Sequence, residues 1–400
     1  MKYDFTTIRE RAGHDAMAVD LAEKSPAFKP NDGFDVIPMW VADMNFATAP
    51  SVTEALKKRI EHPLYGYFLT SDDYYDSIIR WQEERNGVTG LEKQHIGYEN
   101  GVLGGVMSAL AAVCSTGDKV LVHSPTYIGF TRSLENSGYK IVTSPLKPDR
   151  MGVMRMDFFD MEMKIKMNDI RAVIFCSPHN PTGRVWEREE LEQFMEMAKR
   201  LNVTVISDEI WSDLTLGKNR HIPLQTISDD ARERTVALYA PSKTFNLAGL
   251  IGSYHIIYNE ALHKRIKKVS SLYHYNSINV LSMHALIGAY SKEGAEWVDE
   301  LREVLTANVK YACRFIRKNF KGVHVQQPEG TYMLFLDCEE YCKETGRTLD
   351  EVKNAGFEVG VLWQDGRPFH GPYHIRMNLA LPTSRVEEAM ERLKKYVFIY

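Results

Sequence analysis

Four hundred residues, 44% hydrophobic and 26% charged, give an ordinary globular composition long enough for two lobes. The net charge of -4 comes from both signs mixed along the chain without a basic tract, which argues against nucleic acid as a partner. No apolar run is long enough to span a bilayer, and the first five residues lack the apolar core of a signal peptide, so the expected location is the cytoplasm.

Residues 1–48 read as an arm that belongs with a smaller domain. Its stretch 34–44 is apolar but broken by Pro38. Trp40 and Met44 suit a core there, while backbone N–H groups near Ala42 could approach a ligand. Ala49-Pro50 precedes a predicted helix from 51 to about 61, with Ser51 as its N-cap. Pro63-Leu64-Tyr65-Gly66-Tyr67 is a loop signal whose two tyrosines suit an interface or a ligand contact. A helix is predicted over 74–86, stopped by Gly87. Asn100-Gly101-Val102-Leu103-Gly104-Gly105 then opens a helix to about 114. Glycines at a helix start let backbone N–H groups of Val102 and Leu103 meet an anion. Close packing of small residues is the competing reading.

From there the pattern alternates. Strands are predicted at 119–123, 140–143, 172–176, 204–207, 236–239 and 254–258, with helices at 126–136 and 188–201. Apolar strands alternating with helices argue for a largely parallel sheet covered on both faces. Ligands of such sheets bind at the carboxyl ends of the strands. Tyr127, Asn180, Asp208, Ser242 and Lys243 all fall just past such ends. Beyond about 285 the alternation stops. A long helix at 296–319, strands at 323–325, 333–337 and 375–380, and a closing helix at 387–396 suggest an α+β unit. The expected division is 1–48 as arm and part of the small domain, 49–285 as the large domain, and 286–400 as the small C-terminal domain. The five cysteines are odd in number and scattered, so reduced thiols are expected. No zinc pattern is present.

The residues at the strand ends match the needs of pyridoxal 5'-phosphate (PLP). An aldehyde needs an amine, which Lys243 offers. A pyridine nitrogen that must stay protonated needs a carboxylate, and Asp208 fits, although a helix N-cap would also explain it. Asn180 can donate to the ring's phenolic oxygen, or serve only its turn. Tyr127 can stack on the ring face. Val102, Leu103 and Ser242 can hold the phosphate. Arg376, inside an apolar strand, suits a substrate carboxylate or a structural ion pair equally.

Ser242-Lys243-Thr244-Phe245-Asn246-Leu247-Ala248-Gly249 resembles the PLP-lysine segment of fold-type I, class I/II aminotransferases. His179-Asn180-Pro181-Thr182-Gly183-Arg184-Val185-Trp186 and Ser207-Asp208-Glu209-Ile210 are similar to the other two signatures of that superfamily. Trp40 to Phe46, Gly66-Tyr67 and Pro328-Glu329-Gly330-Thr331-Tyr332 resemble its cystathionine β-lyase and cystalysin-like C–S lyase branch. The resemblance implies an α/β, aspartate aminotransferase-like fold: a large PLP domain with a mainly parallel seven-stranded sheet between helices, plus a smaller α+β domain. It implies a homodimer in which Tyr67 reaches the neighbouring phosphate. It assigns the cofactor's Schiff base to Lys243, the pyridine nitrogen to Asp208, the phenolic oxygen to Asn180 and the ring face to Tyr127. Arg376, with Ala42 and Tyr127, would bind the substrate, and Val102, Leu103 and Ser242 the phosphate.

The implied activity is β-elimination of a thiol from cystathionine or another S-substituted cysteine, leaving pyruvate and ammonia. An aminotransferase of a small amino acid is the alternative within the superfamily, and a PLP-binding regulatory protein with a partner activator the alternative outside enzymes. The sequence departs from the family pattern at Ile251, where many members carry a phosphate-binding arginine, and at Trp211, Asn45 and the loop 369–373.

Overall fold

The computed structural model describes residues 1–272 and 276–399. The arm crosses the molecule to meet its other end. Strand β1 (Ile37–Pro38) pairs in parallel with Val361–Leu362. Pro38 has no N–H to extend the ladder. Phe5 packs edge-on against Phe46, ring centroids 5.3 Å apart, and lies 5.4 Å from Trp297.

The next helix starts one residue earlier than predicted. It spans Pro50–Ile60, with Ala49 rather than Ser51 as its N-cap. Pro50 explains the shift, because its fixed φ and missing N–H suit the first helical position. The helix Asp72–Asn86 ends as expected at Gly87, which adopts φ 67°.

Strand β2 (Ile96–Glu99) is not in the predicted set. Strands β3 (Lys119–Ser124) and β4 (Lys140–Pro145) follow, then a short hairpin of β5 (Lys147–Pro148) and β6 (Met154–Arg155). Strands β7 (Ala172–Cys176), β8 (Thr204–Asp208), β9 (Thr235–Tyr239) and β10 (Ser253–Ile256) complete a seven-stranded sheet of order β2-β10-β9-β8-β7-β3-β4. Every residue of β7, β9 and β10 is buried, because helices cover both faces. Only β10 runs against its neighbours, pairing antiparallel with β9 and β2.

This order positions the site. The chain builds outward from β3 to β4, then returns to lay β7, β8 and β9 on the other side of β3. A crevice opens at such a reversal, outside the carboxyl ends of the strands. Neighbouring strands β9, β8, β7 and β3 therefore deliver Lys243, Asp208, Asn180 and Tyr127 side by side.

The helix Lys292–Asn319 leads to a second sheet, of β11 (His324–Val325), β12 (Met333–Asp337), β14 (Gln364–Asp365) and β15 (His374–Asn378), in the order β11-β12-β15-β14. Val361–Leu362 is β13. The second sheet is antiparallel throughout, and Arg376 on β15 stands opposite Phe335 on one side and Gln364 on the other. The helix Thr383–Tyr396 closes the chain. The cysteines are all free thiols, as expected, and all but Cys114 are buried.

Candidate active site

A cavity of about 330 Å³ lies at the reversal, and all the predicted site residues except Arg376 and Tyr67 line it. Lys243 comes from the turn after β9. Its Nζ donates to the Ala42 carbonyl at 2.8 Å. Burial, and after it the nearby Arg376 guanidinium, pull the amine down from 10.5 to about 8. A tenth or so of it is then neutral at pH 7, as a nucleophile or base requires.

Asp208 ends β8 and is buried. Among the described residues it accepts one hydrogen bond, from the Ile210 N–H at 3.1 Å, and no helix follows to be capped. Burial pushes its carboxyl up to about 7, against the pull of that N–H and of Lys243. A cation placed against this carboxylate would relieve the cost of burying it.

Tyr127 lies after β3, with Phe130 edge-on to its ring at 5.4 Å. A Cβ on Gly129 would fall 2.3 Å from the Tyr127 ring, so only glycine leaves the ring this position. The Thr126 N–H bonds the Phe369 carbonyl at 3.0 Å, which ties the 369–373 loop to the site.

The helix Val102–Val113 points its N-terminus at the same cavity. Gly101 enters it at φ 78°, and no side chain caps the end. The first amide to bond back is that of Gly105, to Gly101 at 3.0 Å. The N–H groups of Val102, Leu103 and Gly104 stay open toward an anion. Ser242 lines the cavity beside them, and Ile251 puts an apolar side chain where the family pattern has arginine.

Arg376 does not line the cavity but reaches Asn180 from the second sheet. Its Nη1 donates to Asn180 Oδ1 at 3.1 Å and its Nη2 to the Trp40 carbonyl at 3.3 Å and to Gln364 Oε1. Its Nε has no partner, and its guanidinium lies 4.4 Å from the centre of the Phe369 ring. Among the described residues, no carboxylate forms an ion pair with it. Burial holds it down at about 10. Of the two readings of Arg376, the structural ion pair is absent.

The groups that hold the arm in place were not singled out from sequence. Asn246, at φ 58°, accepts from the Met44 N–H at 3.0 Å and donates to the carbonyls of Met44 and Phe46 at 3.0 and 3.3 Å. Asn378 donates to the carbonyls of Val41 and Asp43 at 2.7 and 2.6 Å. The Tyr332 hydroxyl gives the Ala42 carbonyl a second hydrogen bond, at 3.0 Å. It is thus the Ala42 carbonyl, rather than the expected N–H groups, that faces Lys243. Asn246→Ala removes three hydrogen bonds at a left-handed position that alanine disfavours. We expect it to lower stability by about 2–4 kcal/mol in urea unfolding.

Trp211, another departure, is buried edge-on to Tyr332 at 4.8 Å, with Lys243 Nζ 5.8 Å from its ring centre. Tyr67 is fully exposed and lies outside the cavity of its own chain, as do the exposed Leu64 and Leu69 beside it.

Residues 35–393 match the sequence model of the family described as aminotransferase class I and II. The chain belongs to that family. It is 33% identical over 365 residues to a Bacillus subtilis (strain 168) protein named cystathionine beta-lyase PatB, covering 90% of this chain and 92% of that one. Among solved structures of the family's fold, it matches a PLP-bound C–S lyase from Staphylococcus hominis with a TM-score of 0.88 and 30% identity, covering 98% of each chain. It matches cystalysin from Treponema denticola, which contains a pyridoxal 5'-phosphate cofactor, with a TM-score of 0.91 and 29% identity, covering 99% of this chain and 98% of that one. The aminotransferase-family fold thus extends over nearly the whole chain, including the second sheet that carries Arg376.

Proposed function

We propose that this chain is a PLP-dependent carbon–sulfur β-lyase that cleaves cystathionine or another S-substituted cysteine to pyruvate, ammonia and a thiol. The observation that carries an amino-acid substrate is Arg376: a buried guanidinium with no carboxylate partner among the described residues and an Nε without a hydrogen bond, beside a cavity that holds Lys243 and Asp208. The kinship with proteins named as cystathionine β-lyase, C–S lyase and cystalysin supports elimination of a thiol.

The residues present fit PLP. A buried carboxylate with one N–H partner suits a protonated ring nitrogen, and an uncapped helix end suits a phosphate. Lys243 would hold the aldehyde, Asp208 the ring nitrogen, Asn180 Nδ2 the phenolic oxygen, Tyr127 the ring face, and Val102, Leu103 and Ser242 the phosphate. The cofactor, when bound, supplies an electron sink for the charge left on the substrate's α-carbon.

The protein's own groups do the rest. Arg376 fixes the α-carboxylate in two-point geometry, with Asn180 and Gln364 orienting the guanidinium. The Ala42 carbonyl offers the Lys243 amine an acceptor once the substrate amine has taken its place on the aldehyde. Neutral Lys243 then takes the α-proton at Nζ. The apolar walls from Tyr127 and Trp211 exclude water while the thiolate departs. Incubating the holoenzyme with cystathionine tests this reading. Pyruvate and thiol should appear in equal amounts, and the absence of both would sink it.

The exposed loop bearing Leu64, Tyr65, Tyr67 and Leu69 supports a homodimer with shared sites, since apolar side chains at such exposure gain most from cover by a second copy. Mixing inactive Lys243→Ala with an inactive Tyr67 variant should then restore roughly a quarter of wild-type activity, because half of the randomly reassorted dimers carry one intact site. A fully active monomer in light scattering would contradict it.

A further inference from the structure

Glu209 follows Asp208 at the end of β8 and has no exposed surface. Successive side chains on a strand point to opposite faces, so Glu209 turns away from the cavity that Asp208 faces. Four donors fill its carboxylate. Oε1 accepts from Ser207 Oγ at 2.9 Å and from the Leu224 N–H at 3.1 Å. Oε2 bonds the Tyr239 hydroxyl and His221 Nε2, both at 2.6 Å. Tyr239 ends β9, the strand that leads into Lys243. One buried acid therefore joins the strand carrying Asp208, the strand leading to Lys243, and the connection between them.

A surface role is ruled out by burial, and stability alone is a weak reason for a buried charge. Taking a carboxylate out of water costs several kcal/mol even when it is bonded, and an apolar residue would fill the same space without that cost. The charge has a second effect that an apolar residue would lack. A negative group beside Asp208 raises the proton affinity of everything near it. The titratable and charged groups around the pair are Lys243, Tyr127 and Cys176 on the cavity side, and Tyr239, Tyr254, His221 and Asp213 behind it.

We propose that Glu209 is a positioning residue of this site: its carboxylate locks the Asp208 end of β8 to the strand that leads into Lys243, and its negative charge favours the proton on a cofactor ring nitrogen held by Asp208. This rests on the reading of the cavity as a PLP site.

The test follows protonation of the bound cofactor's ring nitrogen against pH, by nitrogen NMR of isotope-labelled cofactor, in wild type, Glu209→Gln and Tyr239→Phe. Glutamine keeps the shape of the side chain and removes its charge, so protonated forms in the site lose support. The midpoint of the ring-nitrogen titration should fall by about half a pH unit or more. The turnover number should drop by about tenfold with KM little changed. Tyr239→Phe keeps the charge and removes a donor that compensates it, so its midpoint should rise. A midpoint that stays put or rises in Glu209→Gln, whatever happens to the melting temperature, leaves a merely structural acid and overturns the inference. If Glu209→Gln does not fold, Tyr239→Phe decides alone, and an unmoved or lowered midpoint there overturns it. A wild type that never acquires cofactor absorbance fails the PLP reading itself, an outcome distinct from any of these.

Discussion

Lys243→Ala is expected to lose the visible absorbance of the bound cofactor and to cut turnover by at least about 10³-fold, since on the proposed reading it removes both the covalent anchor and the proton-transfer base. Alanine also frees the Ala42 carbonyl, but the Tyr332 hydroxyl still donates to it, so the arm should stay in place. Loss of function is thus expected without loss of fold, and an unchanged melting temperature beside the lost turnover checks that. A related result follows from the lowered pKa of Lys243. Only the neutral amine can attack an aldehyde, and its folded pKa lies near 8 rather than at 10.5. Cofactor uptake by the apoenzyme should therefore speed up as pH rises toward 8 and level off above it. A rate still climbing steeply between pH 9 and 10.5 would mean that the lysine is not desolvated. Full activity in Lys243→Ala would overturn the site assignment.

Arg376→Ala is expected to weaken amino-acid substrates by about 2–5 kcal/mol, roughly 30- to 5,000-fold, the range for removing one partner of a desolvated, hydrogen-bonded charge pair. Amines without the carboxylate control for indirect effects. The substitution also strips Asn180, Gln364 and the Trp40 carbonyl of a donor, which would disturb both ligand types alike. A loss confined to carboxylate-bearing ligands identifies the guanidinium as their receptor. Equal losses for both would assign it a structural role. Arg376→Lys should recover only part of the affinity, because a lysine keeps the charge and loses the two-point fork.

Much of the cavity wall was legible in the sequence because each group sits just past a buried strand, and strand ends are local features. Lys243, Asp208, Asn180 and Tyr127 could be placed without knowing the strand order. What the order adds is that β9, β8, β7 and β3 are neighbours, which turns four separate ends into one wall. Strand β2 went unseen because it is four residues long and carries Gly97, too brief for a clear period. The start of the helix Pro50–Ile60 was misplaced because Ser51 is a better cap by type, while Pro50 constrains the backbone more strongly.

The rest depends on long-range contacts that no local pattern encodes. Asn246 meets Met44 across some two hundred positions of sequence, and Asn378 meets Val41 across more. Nothing in either asparagine's own neighbourhood signals these bonds. The same holds for Arg376. Its position inside an apolar strand showed that it needs a partner, but only the folded chain shows that the partner is not an acid of its own. Glu209 was read merely as part of a signature, since its four donors come from separate segments.

Elimination is expected to outrun transfer in this protein. On the proposed reading both reactions begin with the same proton removed by Lys243, so the residues that make that step possible do not separate them. They diverge in whether the thiolate leaves before a proton returns. The direct measurement gives one preparation of holoenzyme cystathionine, following pyruvate, and in parallel common amino acids with 2-oxoglutarate, following the new amino acid. The account predicts faster pyruvate formation. Transfer faster by about tenfold, some 1.4 kcal/mol in barrier, would contradict the lyase reading and make the protein an aminotransferase.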